Sequence, residues 1–168
     1  MPKIIENLEI RLIREARNQI LSQGYASTTI RSVASSCGVG VGTVYNYFPS
    51  KDALIAAFML EDWNLCVAAI EEKSRESQDP REVCACIHRQ LTDFARHNVR
   101  LFQDQAAAAS SSVSFSRYHA MLRSQLAAAL EKFSGSGFPA EFIAEALLSW
   151  TMAGKEFDEI YGMIGKLF

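Results

Sequence analysis

Thr43, Tyr45, Asn46 and Tyr47, with Val41 and Gly42 just before them, fall on one side of a short stretch whose other side carries Val44 and Phe48. Two phenolic hydroxyls, an amide, a threonine hydroxyl and a glycine that admits a close backbone are more than a merely wetted helix face needs. Groups of this kind hydrogen-bond to phosphate oxygens and to the edges of DNA bases. Lys51 points the same way. Ser50 fits a helix N-cap and Asp52 suits the positive end of a helix, yet Lys51 puts a cation in that first turn, where the helix dipole disfavours it. A DNA phosphate at this helix N-terminus would offset the cost, because the free amides and the lysine would meet at one oxygen.

The elements that must position these groups lie in Thr28–Leu54. Ile30, Val33, Ala34 and Cys37 recur at helical spacing, and the pattern stops at Gly38, the residue type that most readily takes the left-handed conformation ending a helix. Val39 can then plug back between this helix and the next, whose buried side continues through Val44 and Phe48. Helix, tight turn, second helix, aromatic exit and capped third helix form the grammar of a helix-turn-helix. Taken singly, Ser27, Thr28 and Ser50 could be plain caps, and Tyr45 and Tyr47 could be half-buried packing residues. The joint pattern favours DNA.

Residues 16–54 resemble the DNA-binding domain of the TetR family of bacterial transcriptional regulators. The resemblance is carried by Gly24-Tyr25, Thr28-Thr29-Ile30, Val33-Ala34, Cys37-Gly38-Val39, Gly42-Thr43-Val44-Tyr45, Tyr47-Phe48 and Ser50-Lys51-Asp52-Ala53-Leu54, in register and without a gap. It implies an all-α homodimer that binds a palindromic operator and is usually released by a small molecule. By position it implies phosphate contacts from Thr29, Tyr45, Tyr47 and Lys51, with Thr28 beside them. Arg31, Val41, Gly42, Thr43 and Asn46 would sit at or near base edges. Gly40 stands where the family often has a serine capping the recognition helix, so this helix start lacks a side-chain acceptor.

Composition sets the remaining bounds. With 168 residues, 49% of them hydrophobic, the chain can bury a sizeable core as one unit or as two sharing an interface. The net charge of −2 argues against a nonspecific nucleic-acid binder. Its distribution says more: residues 1–51 carry six Lys and Arg against three Asp and Glu, and the remainder eleven against sixteen. No apolar run approaches the ~20 residues of a membrane span, and the start, with Glu6 and Glu9, lacks a signal-peptide pattern. A cytoplasmic location is expected.

The other helices follow from periodicity. A first helix over 3–23, with Leu8, Leu12, Ala16 and Ile20 in its stripe, ends at Gly24 and braces the helix-turn-helix. Arg11, Arg14 and Arg17 lie largely off the stripe, either solvated or touching the DNA backbone. A long helix from Lys51 to about Lys73 would lead from a DNA-binding domain (1–50) into a regulatory and dimerisation domain (51–168), so its tilt would move the recognition helix. A loop is expected over 74–80, then a helix from Pro80 to about Val99, with Asp79 as cap. A short helix over 101–109 and an amphipathic one over 115–133 follow, ended by the Ser-Gly-Ser-Gly at 134–137.

Cys84 and His88, and likewise Asp93 and His97, stand four apart on that fifth helix, a spacing that could bring metal donors together, although no fuller ligand set can be assembled. Cys37, Cys66, Cys84 and Cys86 form no disulfide or CxxC framework and read as reduced thiols. A metal- or redox-responsive regulator using Cys84 and His88 or the free thiols is therefore the alternative reading. Nucleophile-base sets, phosphate-binding glycine loops and partnered carboxylate pairs are not found, so no catalytic residues or cofactor are expected.

Residues 139–168 are apolar most of the way round, with Gly154 separating or kinking two helices. That is more apolar surface than one small domain can cover. The resemblance places the homodimer interface here, where the last helices of two subunits would pair. A two-fold dimer would present two recognition helices to half-sites about one turn of DNA apart or a little more. For an apolar small-molecule effector, Phe58, Trp63, Phe94, Phe102, Phe115, Tyr118 and Met121 are the candidate pocket lining, with core packing as the bland alternative for each.

Overall fold

The computed structural model describes residues 7–98, 101 and 112–168, and the side chains over the same ranges except 112–118. Its elements, in chain order, are α1 (Leu8–Gln23), α2 (Ile30–Ser36), α3 (Val41–Tyr45), α4 (Lys51–Glu76), α5 (Pro80–His97), α6 (Ser112–Ser134), α7 (Phe138–Met152) and α8 (Phe157–Ile164), followed by a 3-10 turn, Gly165–Leu167. The fold is all-α. The short helix expected over 101–109 lies outside the described residues but for Leu101.

Two compact units divide the chain, Met1–Glu61 with Asn98–Ser112 and Asp62–His97 with Val113–Phe168. The boundary expected at residue 50 falls inside the first unit, and the reason is packing. Leu54, Ile55 and Phe58 of α4 are buried in one cluster with Leu8, Leu12, Ile20, Val33, Val44 and Phe48. Burying several such side chains, each worth roughly 1.5–3 kcal/mol, ties the first turns of α4 to the three helices before it.

The helix ends are set by local chemistry. Gly24, at φ +87°, closes α1 and donates its amide to the Ile20 carbonyl at 2.9 Å. Thr29 caps α2 through a reciprocal box in which the Ser32 amide donates to Thr29 Oγ1 and the Thr29 amide to Ser32 Oγ, each at 3.0 Å. Gly38 is at φ +69°, and the amides of Gly38 and Val39 donate to the carbonyls of Ser35 (3.1 Å) and Ala34 (3.0 Å). That pair of bonds is a Schellman ending, which reverses the chain within the turn. Val39 packs against the core, as its position after the glycine suggests.

In the second unit α5 packs on α7, burying Val83, Cys84, Ile87 and Leu91 opposite Ile143, Ala144, Leu147 and Leu148 among the core residues. Asp79 caps α5, accepting the Arg81 amide at 2.8 Å, with Pro80 at the first helical position. The loop expected over 74–80 is shorter, because α4 continues to Glu76. Its last carbonyls are satisfied from α6: Lys132 Nζ donates to the Ser74 carbonyl and, at 2.7 Å, to that of Ser77. Ser74 in turn donates its hydroxyl to the Ala129 carbonyl at 2.7 Å. A polar sequence thus stays helical where a neighbouring lysine caps it.

The expectation of no span-length apolar run needs correction. α4 has 26 residues and an 18-residue window of mean hydropathy 1.6, enough by length and composition to cross a bilayer. Its apolar side chains are used otherwise: Leu54, Ile55 and Phe58 in the first unit and Trp63, Cys66 and Ile70 in the second are buried, with Glu61 and Asp62 between them.

Candidate nucleic-acid interface

α3 has only five residues, and its orientation is fixed by two anchors. Val44 is fully buried and Phe48 nearly so, which turns the rest of α3 outward. Tyr45 and Tyr47 are 52% and 45% exposed, although aromatic side chains of that size usually find cover. Asn46 and Gly42 are exposed, and Thr43 is half-buried. Val41 is half-buried as well and packs partly on the core, so it presents an edge of its side chain rather than the whole. Gly40, in extended conformation at φ −71°, ψ 148°, is the N-cap and offers no side-chain bond. A Cβ added there would meet only Thr43 Oγ1 at 3.8 Å, and one added at Gly42 would meet nothing within 4 Å.

An open groove of about 550 Å³ runs beside α3, lined by Thr28, Thr29, Ile30, Arg31, Val41, Tyr45, Pro49, Ser50 and Lys51. Here the starts of α2 and α4 meet α3. Arg31 is exposed in the first turn of α2. Thr29 Oγ1 accepts from the α2 amide, which leaves its hydroxyl proton available to donate outward. Ser50 caps α4, accepting the Ala53 amide at 3.0 Å. Hydroxyl, guanidinium and ammonium donors therefore converge with two helix N-termini, an arrangement suited to phosphate oxygens.

Thr28 and Lys51 are placed differently from their expected positions. Thr28 is 1% exposed and donates its hydroxyl to the Gly24 carbonyl at 2.9 Å, so it fastens the turn between α1 and α2 instead of facing outward. Lys51 does not need an external anion to offset its place at the helix start. Its ammonium donates to the Tyr25 carbonyl at 2.8 Å and lies 3.6 Å from the centre of the Tyr25 ring. Tyr25 is a residue without a role legible in the sequence. Its sequence signals are its place directly after the helix-ending Gly24 and its part in the resemblance, neither of which points to Lys51.

The described members of the expected pocket lining are divided between the two units. Phe58 belongs to the core of the first unit. Trp63 and Phe94 pack edge to face in the second, ring centres 5.7 Å apart, and Trp63 donates its indole N–H to Gln125 Oε1 at 2.6 Å. Met121 is half-buried. Phe102 lies outside the described residues, as do the side chains of Phe115 and Tyr118. Gln125 is the polar group missed from sequence, since a lone glutamine on an amphipathic helix carries no signal.

Cys84 and His88 do not form a site. Burial pushes the Cys84 thiol up to about 12 and the Cys66 thiol up to about 11, which keeps both as thiols at neutral pH and slows their oxidation. His88 Nε2 is 2.9 Å from the Lys155 carbonyl, to which it donates, and its ring lies against Phe157. Among the described residues no three His, Cys, Asp or Glu side chains are grouped to hold a metal ion.

The geometry defines an all-helical protein with a helix-turn-helix whose recognition face is exposed. Residues 12–58 match the model for "Bacterial regulatory proteins, tetR family", so the likeness to that family lies in the helix-turn-helix segment. The regulator UidR of Escherichia coli K12 is 34% identical over 62 residues, which cover 37% of this chain and 32% of that protein. The match thus spans about a third of the curated relative's length. SCO7518 of Streptomyces coelicolor A3(2) superimposes with a TM-score of 0.72 at 16% identity, covering 96% of this chain and 98% of that one. FadR of Thermus thermophilus, a TetR-family transcriptional repressor solved with lauroyl-CoA, gives 0.65 at 18% identity, covering 95% and 92%. These two likenesses are of fold.

Proposed function

We propose that the chain is a DNA-binding transcriptional regulator, a repressor that occupies a palindromic operator as a homodimer and leaves it when a small molecule binds the second unit. The carrying observation is the exposed hydroxyl-bearing face of α3 beside a groove lined by Thr29, Arg31, Tyr45 and Lys51. Thr29, Tyr45, Tyr47 and Lys51 contact phosphates, while Arg31, Val41, Gly42, Thr43 and Asn46 lie toward base edges. The homodimer is supported by the apolar side chains that α7 and α8 leave exposed, among them Phe138 (77%), Phe142, Trp150 and Met163. A small-molecule effector is supported by the Trp63, Phe94 and Gln125 cluster, aromatic with one polar group, and by the lauroyl-CoA bound to Thermus thermophilus FadR. The protein acts in the cytoplasm and is not an enzyme.

Selection from sheared genomic DNA with the purified full chain tests this. The expected result is one or a few enriched fragments, with a footprint of two half-sites related by a dyad about one helical turn apart or a little more. Recovery of no fragment above background, at low and at moderate salt, would overturn it.

A further inference from the structure

We infer that Tyr25 is a positioning residue for the phosphate-contacting lysine, holding the Lys51 ammonium at the groove before DNA arrives. The inference rests on the DNA-binding reading above. Tyr25 makes three separate attachments to the start of α4. Its carbonyl accepts from Lys51 Nζ at 2.8 Å, its ring face lies 3.6 Å from the same nitrogen, and its hydroxyl donates to Asp52 Oδ1 at 2.7 Å. Tyr25 is 9% exposed and directly follows Gly24, which is at positive φ. The Tyr25 carbonyl also accepts the Thr28 amide at 3.3 Å, so the lysine is tied to a backbone group that the turn itself fixes.

A surface lysine normally samples many rotamers and loses that freedom when it grips a phosphate. A lysine already held against an aromatic face loses less, so more of its contact free energy appears as affinity. The hydroxyl distinguishes this role from packing. A phenylalanine would fill the same space and offer the same carbonyl. Only tyrosine can fix the ring through Asp52 while that ring supports the cation.

The test is a double-mutant cycle read as DNA affinity, using a duplex recovered by the genomic selection. Wild type, Tyr25→Phe, Lys51→Ala and the double variant are titrated at several salt concentrations, with helical circular dichroism and melting recorded for each. Tyr25→Phe should weaken binding about three- to tenfold, Lys51→Ala more, and Tyr25→Phe should add nothing once Lys51 is alanine. Tyr25→Leu, which also removes the ring, should weaken binding further than Tyr25→Phe while the helical signal is retained. An equal loss from Tyr25→Phe in both backgrounds would make Tyr25 a general structural residue and overturn the inference. So would a wild-type affinity in Tyr25→Phe while Lys51→Ala still weakens binding. If Lys51→Ala and Tyr45→Phe both leave binding untouched, the duplex is held elsewhere than at this groove, and the DNA-binding reading of α3 falls together with this inference.

Discussion

Among the described residues two regions expose aromatic side chains, and they differ in how those side chains end. On α3 and just beyond it, Tyr45 and Tyr47 are about half exposed and carry hydroxyls, with Asn46 and Thr43 beside them. On α7 and α8, Phe138 (77%), Phe142 (50%), Trp150 (54%) and Met163 (77%) are exposed with almost no hydrogen-bonding capacity among them. The first surface can exchange water for phosphate oxygens and base edges without leaving polar groups unpaired. The second gains only by being covered with apolar surface. Exposure alone therefore says little about a partner. The chemistry at the tip of the exposed side chain says more.

The largest effect should come from charging the apolar surface. Phe142→Glu should leave the fold intact, convert the chain to a monomer by light scattering, and lower operator affinity about a hundredfold or more through loss of the second recognition helix. A monomeric wild type would break the comparison at its second half. Polar trimming of the first surface should act more locally. Lys51→Ala should reduce the slope of log affinity against log salt by about 0.9 for each subunit bound. Tyr45→Phe should weaken operator binding about two- to tenfold with the oligomeric state unchanged.

Smaller effects sharpen the comparison by separating contact from support. Gly38→Ala meets no atom within 4 Å, so its cost is conformational, about 1–2 kcal/mol of stability for placing a Cβ at φ +69°. Thr28→Val should lower stability by about 1 kcal/mol through loss of its bond to the Gly24 carbonyl. Its operator affinity, measured well below the melting transition, should match wild type, whereas a phosphate-contacting Thr28 would lose affinity instead. Finally, the Cys84 thiol is raised to about 12 by burial, from an ordinary value of 9.0. Its contribution to stability is complete below pH 9 and is lost as pH rises toward 12, because the unfolded chain releases the proton first. Denaturation of Cys84→Ala should accordingly depend less steeply on pH between 9 and 12 than that of wild type.

The helix-turn-helix was legible because its constraints are local. Gly38 needs a left-handed conformation, Val33 and Val44 need cover, Ser50 needs an amide to cap, and each requirement marks one residue type at one position. The C-terminal apolar helices were legible as a surplus of hydrophobic residues. What sequence could not supply was direction. Thr28 and Thr29 are adjacent and chemically alike, yet one hydroxyl turns inward to Gly24 and the other stays at the groove. Phe58 and Trp63 lie five residues apart on one helix, yet each is buried in a different unit. The Tyr25 and Lys51 contact joins residues 26 apart, and only the folded turn brings them together. The end of α4 at Glu76 is hidden from the sequence for the same reason, since the lysine that caps it comes from α6.

DNA reading by α3 and the groove beside it is the proposal on which these predictions rest. Its most direct test is a salt titration of the purified chain on a duplex enriched from the genome, against a scrambled duplex of equal length, for wild type, Lys51→Ala and Tyr45→Phe. Saturable binding that prefers the enriched duplex, weakens with both substitutions and shows a shallower salt slope in Lys51→Ala is the predicted result. Equal affinity for the two duplexes, or preference unaffected by either substitution, would contradict it.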